Sequence, residues 1–377
     1  MKDSSITRVS SIARIFAWPR LTNEITGIRG DRNDLYLQKG GDQLIRDVAA
    51  GCGEGQGDVV VIIHAVGPVI MENFIDIPNV RAVLLANLPG TESGNAIVDV
   101  LFGDVEPSGR LPYTIGKSEG DYGPGSKIKY LPSPSDGLAP QQNFAEGLYI
   151  DYRHFDKHNI TPRFEFGYGL GYTDFHLSSL VIQGQGNKTP LPGPRPAGIA
   201  PPSYSTALPD AKSALFPTGF HKVEKYIYPW LDSVSGIRIA PPSPPPVVPS
   251  PASDAGGGPG GNPDLYTTLF TVNASLINTG PRDGYAVVQL YIDFPTNYTD
   301  PATQRAVDFP VRALRGFEKV FVKAGAAAAE MKVVRFNVTR RDLSYWDTQR
   351  ANWVLPDGVF GVGLGWSSRN LALEGKW

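Results

Sequence analysis

A chain of 377 residues with 41% hydrophobic residues and a formal net charge of -2 is long enough for two or three packed domains. Acidic and basic residues nearly cancel and no long basic run exists, which argues against nucleic acid or an anionic membrane as partner. The longest apolar runs, such as Val59 to Ile63, fall far short of the roughly 20 residues that span a bilayer, so the chain reads as soluble.

The N-terminal stretch MKDSSITRVSSIARIFAWPR scatters its charges and lacks an apolar core of about 7–15 residues. It does not read as a signal peptide, and export of the chain as written is unsupported. Cys52 is the single cysteine, which leaves no internal disulfide and no thiolate metal cluster. Five segments fit the N-glycosylation acceptor pattern, at Asn159, Asn187, Asn273, Asn297 and Asn337, the first of them followed by Pro162.

From Asp42 to Phe102 short β-branched runs alternate with helical patterns. Val59 to Ile63 is continuously apolar, as expected of a strand buried on both faces of a parallel sheet, and Val80 to Ala86 is a second such run. Val69 to Phe74 lies between them. Beyond them, Glu92 to Leu101 places Ala96, Ile97, Val100 and Leu101 at helical spacing, with Gly103 as the stop. Strands alternating with helices imply βαβ units, so an α/β layer is expected up to about Tyr130. Phe144 to Leu177 is rich in aromatic residues and glycine and is read as the closing loop and strand of the same domain.

Composition then shifts. Residues 184–263 are dense in proline, glycine and serine, including PPSPPPVV and GGGPGG, and cannot bury enough apolar surface to fold as a core. One aromatic island at 219–231, GFHKVEKYIYPWL, is suited to docking on a neighbouring domain. In the last third, residues 264–377, apolar and polar residues alternate: Phe270, Val272, Ala274, Leu276; Val288, Leu290, Ile292, Phe294; Val334, Phe336, Val338; Phe360, Val362, Leu364, Trp366. Period two in short segments separated by turn residues predicts an immunoglobulin-like or fibronectin-like antiparallel sandwich of about 110 residues, with Trp346 and Trp353 in its core.

The run from GDRNDL through VVVIIHAVGPVIMENFIDIPNVRAVLLANLPGTESGNAIVDVLFGDVEPSGRLPYTIGK resembles the second, α/β-sandwich domain of glycoside hydrolase family 3, its fungal β-glucosidase branch in particular. FAEGLYIDYRHFDKHNITPRFEFGYGLGYTDF resembles the end of that domain, and VNASLINTGPRDGYAVVQLYIDFP with the segments after it resembles the family's fibronectin type III-like domain. The resemblance covers the chain from about Gly30 to the end, apart from the proline-rich insert. It implies an α/β-sandwich domain at 30–183 and a fibronectin type III-like domain at 264–377, with residues 1–29 set apart as atypical, an alternative start or a mis-spliced exon.

The resemblance also implies retaining hydrolysis of terminal β-D-glucosyl residues in cello-oligosaccharides or aryl glucosides, a secreted family and no cofactor. That chemistry takes two carboxyl groups roughly 5–5.5 Å apart. In the family the nucleophile is an aspartate on a preceding (β/α)8 barrel of about 250 residues, and no such barrel lies ahead of Gly30 in this chain. The acid/base glutamate belongs to a Ser-Gly-Glu-Gly-Tyr stretch shortly before the Gly-Asp-Arg. Here that position falls near Arg20, whose surroundings differ, leaving Glu24 as a weak candidate. The chain alone is therefore expected to be inactive, with a barrel domain as its possible partner. A non-catalytic carbohydrate- or protein-binding module and a β-xylosidase-type specificity are the alternatives.

Asp31 and Arg32 are candidates for substrate contact or for pairing within a supporting loop. His64 follows a buried strand at the carboxyl end, where α/β ligands gather, and reads as a site residue or a hydrogen-bonded structural histidine. Glu92, at the helix start, reads as a cap. Glu146, Asp151, Arg153 and Asp156 suit either a sugar subsite or an interdomain salt-bridge network. No metal constellation, phosphate loop or dinucleotide fingerprint is present, and His154 and His158 do not form a helical ligand pair.

Overall fold

A computed structural model describes residues 14–16, 34–126, 141–195, 262–325 and 331–377. Glu24, Asp31, Arg32 and the aromatic island at 219–231 lie outside them. Among the described residues no helix is long and apolar enough to cross a membrane.

The first layer is α/β. It contains β1 (Arg14–Phe16), α1 (Gly41–Gly51), β2 (Val59–His64), β3 (Val80–Leu85) and α2 (Ser93–Phe102). The strands form a parallel sheet in the order β1-β2-β3, with Ile15 opposite Ile63 and Val61 opposite Val83. The continuous apolar run is thus the middle strand, and Val61, Ile62 and Ile63 are buried. Its neighbour β1 comes from the segment set apart as atypical, so the sheet begins ahead of Gly30.

α1 carries Ile45, Val48 and Ala49 on one face, the i, i+3, i+4 spacing that turns an apolar stripe toward a sheet. The connection from β2 to β3 is a chain of turns rather than a helix. Pro68 and Pro78 bracket it, and the residue before a proline is pushed out of helical geometry. Val69, Ile70, Met71 and Phe74 anchor this connection in the core. α2 ends at Gly103, whose φ of 82° supplies the left-handed cap, as expected.

The second layer is all β. It consists of β4 (Phe175–Gly184), β5 (Thr268–Asn278), β6 (Gly284–Asp293), β7 (Ala313–Val322), β8 (Lys332–Thr339), β9 (Tyr345–Asp347), β10 (Asn352–Val354), β11 (Gly361–Gly365) and β12 (Leu371–Lys376). One sheet has the order β4-β5-β8 and the other β12-β11-β6-β7. The alternation in the sequence is realised: Phe270, Val272, Leu276, Val288, Ile292, Val334, Phe360 and Leu364 share one buried cluster between the sheets.

Two expectations are corrected here. β4 was assigned to the α/β domain, yet it pairs antiparallel with β5, Leu177 opposite Leu276, and buries Leu177 in the sandwich. The proline-rich segment, expected as a linker or an insert, therefore falls between the first two strands of the sandwich, as an insert. Trp346 and Trp353 are not core residues. They face each other across the β9–β10 hairpin, ring centroids 5.4 Å apart, with the Arg341 guanidinium 3.4 Å from the Trp353 ring centre and Trp346 44% exposed. Strands this short project the pair outside the space between the sheets.

The two layers are docked through the outer face of β6. Gln289 and Tyr291, which strict alternation would send to solvent, are buried with exposures of 3% and 0%. Gln289 donates to the carbonyls of Gly167 (3.0 Å) and Trp366 (2.7 Å) and accepts from the Tyr291 hydroxyl (2.7 Å). Gly167 is required there: its φ is 83°, and a Cβ would lie 2.2 Å from Gln289 Oε1.

Candidate functional site

In a parallel α/β sheet the carboxyl ends of the strands lie on one edge, the usual place for ligands. At this edge His64 ends β2 with 5% exposure. Its Nδ1 lies 3.3 Å from the Asn87 carbonyl, and because a carbonyl only accepts, the ring donates from Nδ1. Asn87 has a φ of 47°, the left-handed region that asparagine tolerates better than most residues. The Tyr113 hydroxyl donates to Asn87 Oδ1 at 2.8 Å. The histidine and the phenol both hold Asn87, at the start of the loop that follows β3. Neither Asn87 nor Tyr113 stood out in the sequence, although an Asn before Leu-Pro-Gly at a strand end is a turn signal.

A histidine, an amide and a phenol supply hydrogen bonds, whereas retaining glycosidic cleavage needs two carboxyl groups. The candidates Glu24, Asp31 and Arg32 fall outside the described residues, so only His64 of the proposed catalytic and substrate-binding set is placed.

The acidic and aromatic segment EGLYIDYRHFD resolves into an interdomain network. α3 (Tyr152–Lys157) is capped by Asp151, whose carboxylate accepts from Thr114 N (2.8 Å), Thr114 Oγ1 (2.7 Å) and Tyr152 N (2.5 Å). From α3, Tyr152 Oη accepts from Leu314 N at 3.0 Å, Lys157 pairs with Asp308 at 2.7 Å, and Asp156 pairs with Arg369 at 2.9 Å. Burial pushes the Asp156 carboxyl above its ordinary range, and the Arg369 guanidinium opposes that shift. His154 is buried beside His158, ring centroids 4.3 Å apart, and burial first and then the neighbouring imidazole lower its pKa. Of the four residues named from the sequence, Asp156 makes an interdomain ion pair, Asp151 bonds within the α/β layer, and Glu146 Oε2 and Arg153 Nε are buried without a hydrogen-bond partner among the described residues.

Glu92 occupies the residue before α2, but its carboxylate accepts from the Asn95 side chain at 2.6 Å and makes no capping bond to the backbone. The short local amide outcompetes the backbone N–H groups. Of the glycosylation candidates, Asn159, Asn187, Asn297 and Asn337 are exposed, while Asn273 lies half-buried in β5 between Val181 and Arg335.

Comparison with known proteins places these parts. A profile described as "Glycosyl hydrolase family 3 C-terminal domain" matches residues 10–172, and one for a "Fibronectin type III-like domain" matches residues 286–368. "Probable beta-glucosidase E" of Neosartorya fischeri is 52% identical over 373 residues, covering 93% of this chain and 35% of that protein. Its Aspergillus fumigatus counterpart is 53% identical over 365 residues, covering 93% of the chain and 33% of that protein. Among solved structures, a Chaetomium thermophilum β-glucosidase superposes with a TM-score of 0.68 at 40% identity over 93% of this chain and 41% of that one. A Neurospora crassa family 3 β-glucosidase gives 0.69 at 36% identity, over 94% and 41%. The chain thus spans about a third of the length of these curated relatives. From the docked α/β and β layers and these matches, the chain belongs to glycosyl hydrolase family 3, of which it carries the C-terminal domain and the fibronectin type III-like domain.

Proposed function

We propose that this chain is the C-terminal part of a β-glucosidase that removes terminal β-D-glucosyl residues with retention of configuration. The observation that carries this reading is the 53% identity to a "Probable beta-glucosidase E" along 93% of the chain. In this reading the nucleophilic aspartate comes from a barrel domain, and the α/β layer forms the opposing wall of the site. Without the barrel's aspartate the chain, in this reading, does not turn over substrate, since the displacement takes two carboxyl groups.

A partner surface is consistent with the exposed apolar residues Leu88, Val98, Phe102, Val105 and Phe144, of which Phe102 is 70% and Phe144 81% exposed. Exposure of Asn187, Asn297 and Asn337 fits a glycoprotein that leaves the cell.

The test is a chimera in which the A. fumigatus relative supplies everything before its match to Asp34 and this chain supplies residues 34–377. Hydrolysis of p-nitrophenyl β-D-glucoside, in preference to the β-xyloside, is expected. A folded chimera without glucosidase activity would contradict the reading, and preference for the xyloside would reassign its specificity.

A further inference from the structure

The junction between the two layers opens into a cleft of about 220 Å³. One wall comes from the closing segment of the α/β layer, with Tyr168 and Arg110; the other comes from the sandwich, with Asp174, Phe175, Trp366 and Asn370. We propose that this cleft is a carbohydrate-binding subsite that takes one neutral pyranose unit.

Three features carry the assignment. The first is aromatic: Trp366 and Phe175, packed against the sandwich core with ring centroids 6.3 Å apart and planes inclined at 38°, are half-buried and line the cleft, while Tyr168 lines its other side. Such rings offer flat apolar surface to the C–H face of a sugar ring at little conformational cost.

The second is polar. The backbones of Asn370 and Asp174 are engaged: Asn370 donates to Ser367 Oγ at 3.0 Å and accepts from Trp366 N at 2.8 Å, and the Asp174 carbonyl accepts from Thr279 N at 2.8 Å. Their side chains are exposed, and among the described residues the Asp174 carboxylate and the Asn370 carboxamide have no hydrogen-bond partner. A carboxylate and a carboxamide on short, backbone-anchored side chains are ready acceptors and donors for neighbouring hydroxyls, and little freedom is lost on binding. The Asp174 charge disfavours an acidic sugar or a phosphate; one nitrogen of the Arg110 guanidinium donates to the Gly169 carbonyl, and its buried Nε has no hydrogen-bond partner among the described residues.

The third is size. A cleft of about 220 Å³ is below the roughly 300–1,000 Å³ of pockets for drug-sized ligands, so it suits one ring and leaves the rest of a longer glycan in solvent. Because the walls belong to different layers, occupancy also favours their docked arrangement.

The experiment titrates the full chain with methyl β-D-glucopyranoside, read by saturation-transfer NMR and tryptophan fluorescence, so that binding is measured without turnover and independently of the β-glucosidase reading. Saturable binding is expected, weakened about tenfold or more by Asp174→Ala and by Asn370→Ala, since loss of a hydrogen bond to a charged or polar group has an effect of that order. Lys376→Ala is the unaffected control, methyl β-D-glucuronide binds more weakly, and far-UV circular dichroism of each variant stays that of the wild type. No saturable signal with the wild type, or unchanged binding in both variants, overturns the proposal.

Discussion

Asp151 has a φ of 55° and a ψ of -134°, a backbone state that an L-residue adopts only when its surroundings impose it. Three hydrogen bonds to its carboxylate impose it here and tie α3 to Thr114. Asp151→Ala is expected to lower stability by about 1–3 kcal/mol, the cost of leaving such donors unsatisfied, measured as a shift in the urea midpoint. Asp300 is held differently. Burial would raise its carboxyl, but hydrogen bonds from Tyr345, Thr303, Arg350 and Ala302 outweigh this and hold it well below the ordinary carboxylate range. A depressed folded-state pKa stabilises above the unfolded value of about 3.9 and loses that contribution as pH falls below it. Asp121, Asp308 and Asp347 are lowered too and act in the same direction, while Asp156 and Asp293, raised by burial, oppose them. Stability is therefore expected to fall from about pH 4 downward, and Asp300→Asn should flatten that fall; an unchanged acid limb in the variant would contradict the assignment. At this scale the sequence was least informative. Asp151, Asp156 and Arg153 were visible as a charged, aromatic cluster, but which charge met which partner depended on Arg369 and Asp308, more than 150 residues away.

At the scale of elements, the sequence was most legible where one face alone is buried. Phe270 to Leu276 and Val334 to Val338 alternate cleanly, and the structure buries the apolar members. It was least legible where a second contact overrides the period. β6 buries both faces, because Gln289 and Tyr291 meet the closing segment of the α/β layer, and no local pattern announces a partner that distant. β4 was misassigned for a related reason: it follows the α/β layer directly, while its partner β5 starts at Thr268, beyond the proline-rich insert. The consequence is measurable. A fragment starting at Thr173 is expected to fold cooperatively, whereas one starting at Asn262 leaves β5 without its β4 neighbour and strips Leu177, Phe175 and Ile182 from the core. With about 1.5–3 kcal/mol for each large apolar side chain removed and about 5–15 kcal/mol in all, the shorter fragment should be largely unfolded by circular dichroism. Equal stability of the two would move the boundary back.

For the whole molecule, what matters is that the two layers are docked and not merely strung together. Arg369 donates to Asp156 at 2.9 Å and to the Ile160 carbonyl at 2.8 Å, reaching from the sandwich to α3. The Asp156 side chain is only 10% exposed, so Arg369→Ala leaves a largely buried carboxylate without its cation. A loss of about 1.5–3 kcal/mol is expected, with one calorimetric transition splitting into two as the domains uncouple; a single transition with unchanged midpoint would argue against docking through this pair. The family, its two domains and their order were legible because long motifs survive in sequence. Of the candidate site residues only His64 lies among the described residues, while Glu24, Asp31 and Arg32 fall outside them. The most direct measurement is hydrolysis of p-nitrophenyl β-D-glucoside by the purified chain, run beside the chimera completed with the relative's upstream portion. No turnover by the chain and clear turnover by the chimera is the expected result. Turnover by the chain alone, or a folded but inactive chimera, would contradict the view that this chain is one half of a two-part glucosidase site.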